Sequence, residues 1–329
     1  MKKTTKRICT LVLAVLLIGC LVFLDANKFT YSYLISIIGR CLIYAVAAVA
    51  MNLVNGFTGL FSLGQAGFMA IGAYTVGVLT IPVGQRSAVF YLEEMNPTLA
   101  KIELPFAAAL LLGGVFAALV AFVIGYPVLR LKSDYLAIAT LGFSEIIRAV
   151  IASPQFTPVT NGSYGLKKIP GFSSILIPAL IATLCILCMA LLIHSSYGRA
   201  FKAIREDEIA AEAMGINLFR HKQLSFVIGS FFTGIAGGML AAYMTSVDSN
   251  TFKIALTYNI LLIVVLGGMG SISGTIIASF LVTGGLEVLR FFDEPLTLFG
   301  VRIPIFRAGL RMVIFSLLLV AIVLFYQKG

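Results

Sequence analysis

Charged residues are scarce in this chain. They make up 12% of its 329 residues, whereas hydrophobic residues make up 60% and the mean hydropathy is +1.02. Soluble proteins carry roughly 25% charged residues, so the composition excludes a water-soluble domain of this length. Closed β-barrels also span bilayers, but their strands alternate polar and apolar residues, and the runs Leu11–Leu24 and Ile314–Phe325 do not alternate. The sequence therefore predicts an all-α, polytopic helical membrane protein.

Side chains that catalyse reactions or bind metals are scarce as well. There are two histidines, His194 and His221, and they form no Ser/His/Asp set or metal cluster with other residues. The phosphate-binding motif GxxxxGK[ST] is absent. The spacing CxxC occurs once, at Cys185 and Cys188, but inside an apolar run where two small hydrophobic residues are the simpler interpretation. We expect no enzymatic activity, no metal and no cofactor, so any ATP must be bound by another chain.

The net charge of +10 is spread over many loops. A nucleic-acid-binding protein would show a dense basic tract with exposed aromatic residues. Scattered bases favour a modest attraction to anionic lipid head groups instead. The sequence therefore predicts contact with membrane lipids and no nucleic acid.

Apolar runs predict about ten transmembrane helices. Ile8–Leu24 follows a basic N-terminus and is expected to be an uncleaved first helix, although Leu17–Cys20 also matches a lipoprotein cleavage box. The Gly-rich stretch Gly56–Val78 is expected to be broken or re-entrant, and Leu256–Leu266 is shorter than the ~20 residues of a straight crossing. The remaining predicted spans are Leu34–Val54, Leu104–Ile124, Tyr135–Ile151, Ile175–Ile193, Leu224–Tyr243, Thr275–Phe291 and Ala308–Phe325.

Basic residues set the expected orientation. The bias towards one side of the membrane comes mainly from the N-terminus and from the polar loop 195–222, and basic loops lie in the cytoplasm. We therefore expect residues 1–329 to form a single transmembrane domain, with both termini and this loop in the cytoplasm.

Within that loop, Gly198–Asn217 reads GRAFKAIREDEIAAEAMGIN and is the one long polar segment. Acids at its centre favour a helix N-terminus, alanines extend the helix, and Gly215 is suited to a left-handed C-cap. We expect a helix over Glu206–Met214 on the cytoplasmic surface.

That helix predicts a docking surface for another protein. A helix resting on lipid would place large apolar residues opposite a basic face, whereas this one offers small residues and acids. The face consists of Ala211, Met214 and Gly215, flanked by Glu208 and Glu212.

Two further features lie inside the predicted membrane region. Gly64, Gln65 and Gly67 could unwind a helix and offer backbone amides to a solute, or could allow close helix packing. Glu145 and Arg148 are three residues apart on one predicted helix and can neutralise each other. We interpret them as a structural pair, with a proton relay as the alternative. Charges also occur at Arg40, Glu287 and Arg311.

Several motifs together resemble the branched-chain amino-acid ABC importer permeases of the LivM type. They lie in the family's order between Met51 and Ser279. They comprise the Gly-rich Asn52–Tyr74, the span segment Ala139–Arg148, Thr160–Pro170, the coupling segment Gly198–Ile216 and the glycine turn Gly267–Gly274.

The resemblance implies a permease subunit in the inner membrane of a bacterium. It implies a second, homologous permease, two cytoplasmic ATPase subunits and an extracytoplasmic solute-binding protein as partners. The solute it implies is leucine, isoleucine or valine; the alternatives are urea or another amide, and a self-contained ion-coupled symporter. Residues expected to couple the chain to the ATPases are Arg199, Arg205, Glu206, Glu208, Ala210, Ala211 and Gly215.

Overall fold

The computed structural model describes residues 19–91, 93, 95–131 and 133–289, together with 297–298, 301–302, 313 and 317. Residues 19–26 are helical. The longer helices that follow are α1 (Ser32–Asn52), α2 (Gln65–Thr80), α3 (Phe106–Val128), α4 (Ser133–Ala152), α5 (Leu176–His194), α6 (Ser196–Glu206), α7 (Glu208–Ala213), α8 (Leu218–Met244), α9 (Ile254–Gly267) and α10 (Ile272–Val288).

Shorter elements connect these helices. A π-helical turn, Leu53–Phe57, extends α1. One-turn α-helices occur at Arg86–Val89 and Thr157–Thr160, and 3₁₀ turns at Val83–Gln85, Leu99–Lys101, Pro154–Phe156 and Gly162–Tyr164. The strands β1 (Leu166–Lys167) and β2 (Ser246–Val247) pair antiparallel, as do β3 (Thr297–Leu298) and β4 (Val301–Arg302).

The predicted polytopic all-α architecture is confirmed. Among the described residues, five helices are long and apolar enough to cross a membrane, and a sixth candidate is α2 with Val83–Val89, bent by 98°. The shorter apolar helices α9 and α10 have 14 and 17 residues. The predicted spans at Ala308–Phe325 and over most of Ile8–Leu24 lie outside the described residues. The total of about ten helices is roughly consistent with this count.

Helix α8 lies at the centre of the bundle. It packs against α1, α2 and α3, and 78% of its most apolar window is buried. Small residues allow this packing: a Cβ on Gly72 would lie 1.9 Å from the Gly234 carbonyl oxygen, and one on Gly237 would lie 2.0 Å from that of Met69. The backbones of α2 and α8 therefore touch, as helices in lipid do where small residues meet.

The bundle has two different ends. The charged end carries α6 and α7. At the opposite end, the connecting segments are held by the β1–β2 pair and by Arg86, a buried side chain that donates to the carbonyl oxygens of Ile81, Leu99 and Ile102. These bonds satisfy an arginine that would otherwise be costly to bury.

Candidate functional site

The charged segment forms two helices, so the predicted single helix over Glu206–Met214 is wrong in its bounds. Helix α6 ends at Glu206, and Asp207 has an extended backbone that breaks the chain direction. The Asp207 carboxylate accepts from the backbone N–H groups of Ile209 and Ala210 at 2.8 and 3.0 Å, and so caps α7. The three adjacent acids therefore have different roles: one ends a helix, one caps the next and Glu208 begins it.

The C-terminus of α7 agrees with the prediction. Gly215 has a φ of +82°, and its N–H donates to the Glu212 carbonyl oxygen at 2.9 Å. The N–H of Ile216 donates to the Ala211 carbonyl oxygen at 3.1 Å. This pair of bonds is the Schellman arrangement, which a glycine in the left-handed conformation permits.

The exposed face of α7 agrees with the predicted one in part. Met214 and Gly215 are exposed, whereas Ala211 is buried and is not available to a partner. Ile209 and Met214 are each 83% exposed, and Ala210 is exposed with them. Two large apolar side chains beside acids therefore form the outer face of α7.

Helix α6 is anchored to the bundle by its apolar side. Phe201 and Ile204 are three residues apart, which places them on one helical face, and both are buried. Phe201 packs with Leu53, Phe57 and Ile193. On the opposite face Arg199 is exposed and donates to Ser196 Oγ at 3.2 Å.

Arg205 links α6 to the membrane helices. Its Nη1 donates to the Gly56 carbonyl oxygen at 2.9 Å, and its guanidinium also pairs with the exposed carboxylate of Glu206. Two glycines leave room for this side chain: a Cβ on Gly59 would lie 2.9 Å from Arg205 Cγ, and one on Gly270 would lie 2.6 Å from Nη1. Both have positive φ, at +76° and +88°, where side chains are strained.

Asn52 joins the same region to α10, a role that the sequence analysis did not assign. Its side chain is fully buried, and its Oδ1 accepts from Gly270 N–H at 2.8 Å. Its Nδ2 donates to Thr275 Oγ1 at 2.7 Å and to the Ser271 carbonyl oxygen at 3.1 Å. The local sequence signal for this role is an amide side chain within an apolar run, because a buried polar group needs hydrogen-bond partners.

A second link joins α7 to α8. Lys222 lies on the first turns of α8, and its Nζ is 2.6 Å from Glu208 Oε2. A cleft of 370 Å³ adjoins this bridge and is also lined by Arg130 and Gly59. Arg130 stacks over the ring of Tyr126 at 4.5 Å. Arg205 and Glu208 therefore add two polar links to the bundle beside the apolar contacts of α6.

The Gly-rich stretch is broken, as predicted. Residues 58–64 are not helical, and α2 begins at Gln65. The break begins near the charged end, where Arg205 contacts Gly56 and Gly59. It ends beside the middle of α4 and α8, where Gly64 lies against Thr140 and Gln65 bonds to Thr233.

The three predicted pathway residues are buried or packed. Gln65 Oε1 accepts from Thr233 Oγ1 at 2.6 Å. A Cβ on Gly67 would lie 2.8 Å from Ser144 Cα, and one on Gly64 would lie 3.3 Å from the Thr140 carbonyl oxygen. This geometry provides close helix packing; a role in translocation stays a prediction.

The intramembrane pair is present. Arg148 Nε lies 2.7 Å from Glu145 Oε2, and both side chains are about a quarter exposed, at 27% and 29%. The pair lies in the second half of α4, towards the opposite end. Its geometry fits the structural role that the spacing indicates. Among the described residues, no group of three or more His, Cys, Asp or Glu side chains could hold a metal ion.

Comparisons with known proteins give one consistent family. The chain is 34% identical to the high-affinity branched-chain amino acid transport system permease protein LivM of Escherichia coli over 287 residues, which are 77% of this chain and 63% of that protein. The chain thus spans less than two thirds of that relative's length. It is 24% identical to the LivH permease of Salmonella typhimurium (75% of this chain, 81% of that protein).

A third relative is named for a different solute. The chain is 23% identical to the guanosine ABC transporter permease protein NupQ of Bacillus subtilis, over 82% of this chain and 84% of that protein. None of the solved structures matches the chain significantly. The family model described as "Branched-chain amino acid transport system / permease component" matches residues 33–323. With that match and the LivM identity, the chain belongs to the branched-chain amino acid transport system permease family.

Proposed function

We propose that the chain is a permease subunit of an ATP-binding cassette importer in the inner membrane of a bacterium. The observation that carries this proposal is the exposed α6–α7 segment, which is fixed to the membrane helices by Arg205 and Glu208. One side of this segment is exposed to a partner, and the other side is bonded to the bundle. A movement of the partner can therefore be transmitted to the membrane helices. In this proposal the charged end and both termini lie in the cytoplasm.

The partners are two cytoplasmic ATPase subunits, a second permease and an extracytoplasmic binding protein. The chain has no phosphate-binding motif of its own, so the ATPases supply the energy. The relative named LivH supports a second, homologous permease. The ATPase contacts the outer face of α7, because Ile209 and Met214 are large apolar side chains without cover.

The proposed solute is leucine, isoleucine or valine. Identity to the relative named for branched-chain amino acids is 34%, compared with 23% for the relative named for guanosine. A self-contained symporter has less support, because Glu145 and Glu287, the carboxylates it would use, are paired with Arg148 and Arg40.

The docking surface is tested by affinity purification of the tagged chain, expressed with its partner subunits. Ile209→Asp places a charge on the outer face of α7. Phe29→Asp is the matched control, since Phe29 is 91% exposed at the opposite end. We expect an ATPase to co-purify with the wild type and with Phe29→Asp, and to be lost with Ile209→Asp. Equal recovery from all three would reject the α7 surface.

The transport reaction is tested in membrane vesicles that carry the assembled complex. Uptake of labelled leucine should require ATP inside the cytoplasmic compartment. Isoleucine and valine should compete with it, whereas guanosine and urea should not. Uptake that follows an ion gradient without ATP would establish the symporter instead.

A further inference from the structure

A cleft of 180 Å³ lies between α1, α9 and α10, away from the charged end. Arg40 is eight residues after Ser32, so it lies about 12 Å along α1 from its first residue. The cleft is smaller than the roughly 300–1,000 Å³ of pockets for drug-sized ligands. It has a size suited to a small solute.

The polar side of the cleft contains charges of both signs. Arg40 Nη1 lies 3.5 Å from Glu287 Oε2, which is a long contact for an ion pair. Arg40 Nε is buried and has no hydrogen-bond partner among the described residues. Tyr44, Asn259 and Thr283 line the cleft beside them. A guanidinium has five donors, so Arg40 retains the capacity to bind a carboxylate.

The other side of the cleft is apolar. It is formed by Ile263, Val282 and Leu286, of which Ile263 and Val282 are buried, at 1% and 2% exposure. Branched aliphatic side chains around a small space match a branched aliphatic ligand. Charges inside the membrane are costly, and they often line a solute or ion pathway.

We propose that this cleft binds the transported amino acid within the membrane, an inference that rests on the proposed function. Arg40 binds the α-carboxylate and Glu287 binds the α-ammonium group. Ile263, Val282 and Leu286 surround the branched side chain. The two charged groups of the amino acid then each face a side chain of opposite charge, so both are compensated within the membrane.

The first experiment uses a diazirine analogue of leucine, photolysed in membrane vesicles that carry the full chain with its partner subunits. Mass spectrometry should find adducts on peptides of α1, α9 and α10 that line the cleft. Excess leucine should suppress them. Adducts elsewhere in the chain, or none, would overturn the proposal.

Two charge-removing variants and a control test the head-group contacts. Arg40→Gln and Glu287→Gln should each lower labelling roughly tenfold to hundredfold, the range for losing a charged hydrogen bond. Glu145→Gln removes the same charge from the other intramembrane pair, outside the cleft, and should leave labelling unchanged. If Glu145→Gln lowers labelling as much, the effect is general and the proposal fails.

Competition by head-group analogues separates binding from a merely structural role. Isopentylamine lacks the carboxylate, and 4-methylpentanoate lacks the ammonium group. Arg40→Gln should remove the advantage of leucine over isopentylamine, and Glu287→Gln should remove its advantage over 4-methylpentanoate. If all three competitors weaken by the same factor in both variants, the pair is structural and the proposal is overturned.

The outcome is distinguishable from failure of the proposed function. If an ATPase co-purifies and leucine uptake requires ATP, but adducts map away from the cleft, the cleft proposal fails while the importer stands. If cleft peptides are labelled with the expected analogue selectivity but no ATPase associates, the cleft stands and the importer fails.

Discussion

Replacing Arg205 by glutamine should separate ATPase binding from transport. The substitution removes the donor of the 2.9 Å bond to the Gly56 carbonyl oxygen. It leaves the outer face of α7 unchanged, because Ile209 lies on α7 and Met214 is its C-cap residue. We therefore expect the ATPase to remain bound and uptake per ATP hydrolysed to fall.

The magnitude follows from the two contacts of the guanidinium. Its pairing with Glu206 is at the surface, where side-chain exposures are 37% and 70%, and such pairs contribute ~0–1 kcal/mol. The part-buried bond from a charged donor to Gly56 contributes about 1.5–3 kcal/mol. Its loss should lower the population of the linked arrangement roughly 10- to 150-fold relative to the unlinked one.

The assay is leucine uptake and ATP hydrolysis measured on the same vesicle preparation, with the amount of co-purified ATPase as a third reading. Arg220→Gln is the matched control: Arg220 is exposed at the same charged end, on the first turn of α8, and the substitution removes the same charge. It should retain the wild-type ratio of uptake to hydrolysis. If Arg205→Gln also retains that ratio, Arg205 does not couple ATP hydrolysis to transport. If it releases the ATPase, Arg205 belongs to the docking surface instead.

Three further substitutions test the surrounding contacts. Gly56→Ala would place a Cβ 1.8 Å from Asn52 Oδ1 and 2.4 Å from the Gly270 nitrogen. We therefore expect size-exclusion chromatography to show no folded protein, and a monodisperse peak at wild-type yield would contradict this packing. Asn52→Leu leaves the Gly270 N–H without its acceptor and should lower the free energy of unfolding by about 1–3 kcal/mol. This is measured as a lower Tm in detergent, and an unchanged Tm would refute the role of the amide. Asp207→Ala removes the cap of α7 and should lower the stability of that helix by ~1 kcal/mol. Proteases should then cleave within α7 faster while the global Tm is unchanged. Unchanged cleavage would mean that packing alone stabilises the helix.

The membrane helices were predictable because each is a long apolar run. Leu104–Ile124 and Ile175–Ile193 agree with α3 and α5 within a few residues. Polar residues at helix ends were missed: α8 begins at Leu218, before the predicted Leu224, because Asn217 caps it through its side chain. Hydropathy identifies the apolar interior of a transmembrane helix, whereas capping residues determine where the helix begins and ends.

The charged segment was predictable in kind and not in detail. Acids, alanines and a glycine indicate a helix, but the sequence does not say which face of it is covered. Ala211 is buried, and α7 packs against α6 and α8, an arrangement that the helix signals alone do not specify. The contact of Arg205 with Gly56 spans 149 positions, and that of Asn52 with Thr275 spans 223. No local pattern contains such contacts.

The helix pair α1 and α10 connects the two proposed sites. Near the charged end, Asn52 Nδ2 donates to Thr275 Oγ1 at 2.7 Å, and both residues are fully buried. Arg40 lies 12 residues earlier, about 18 Å along α1, and its contact with Glu287 is long and partly exposed. A displacement of α6 that reaches Gly56 through Arg205 meets the Asn52–Thr275 contact before the Arg40–Glu287 contact. We therefore expect the helix pair to pivot near Asn52, so that the Arg40–Glu287 separation changes more than the Asn52–Thr275 distance when the ATPase moves α6.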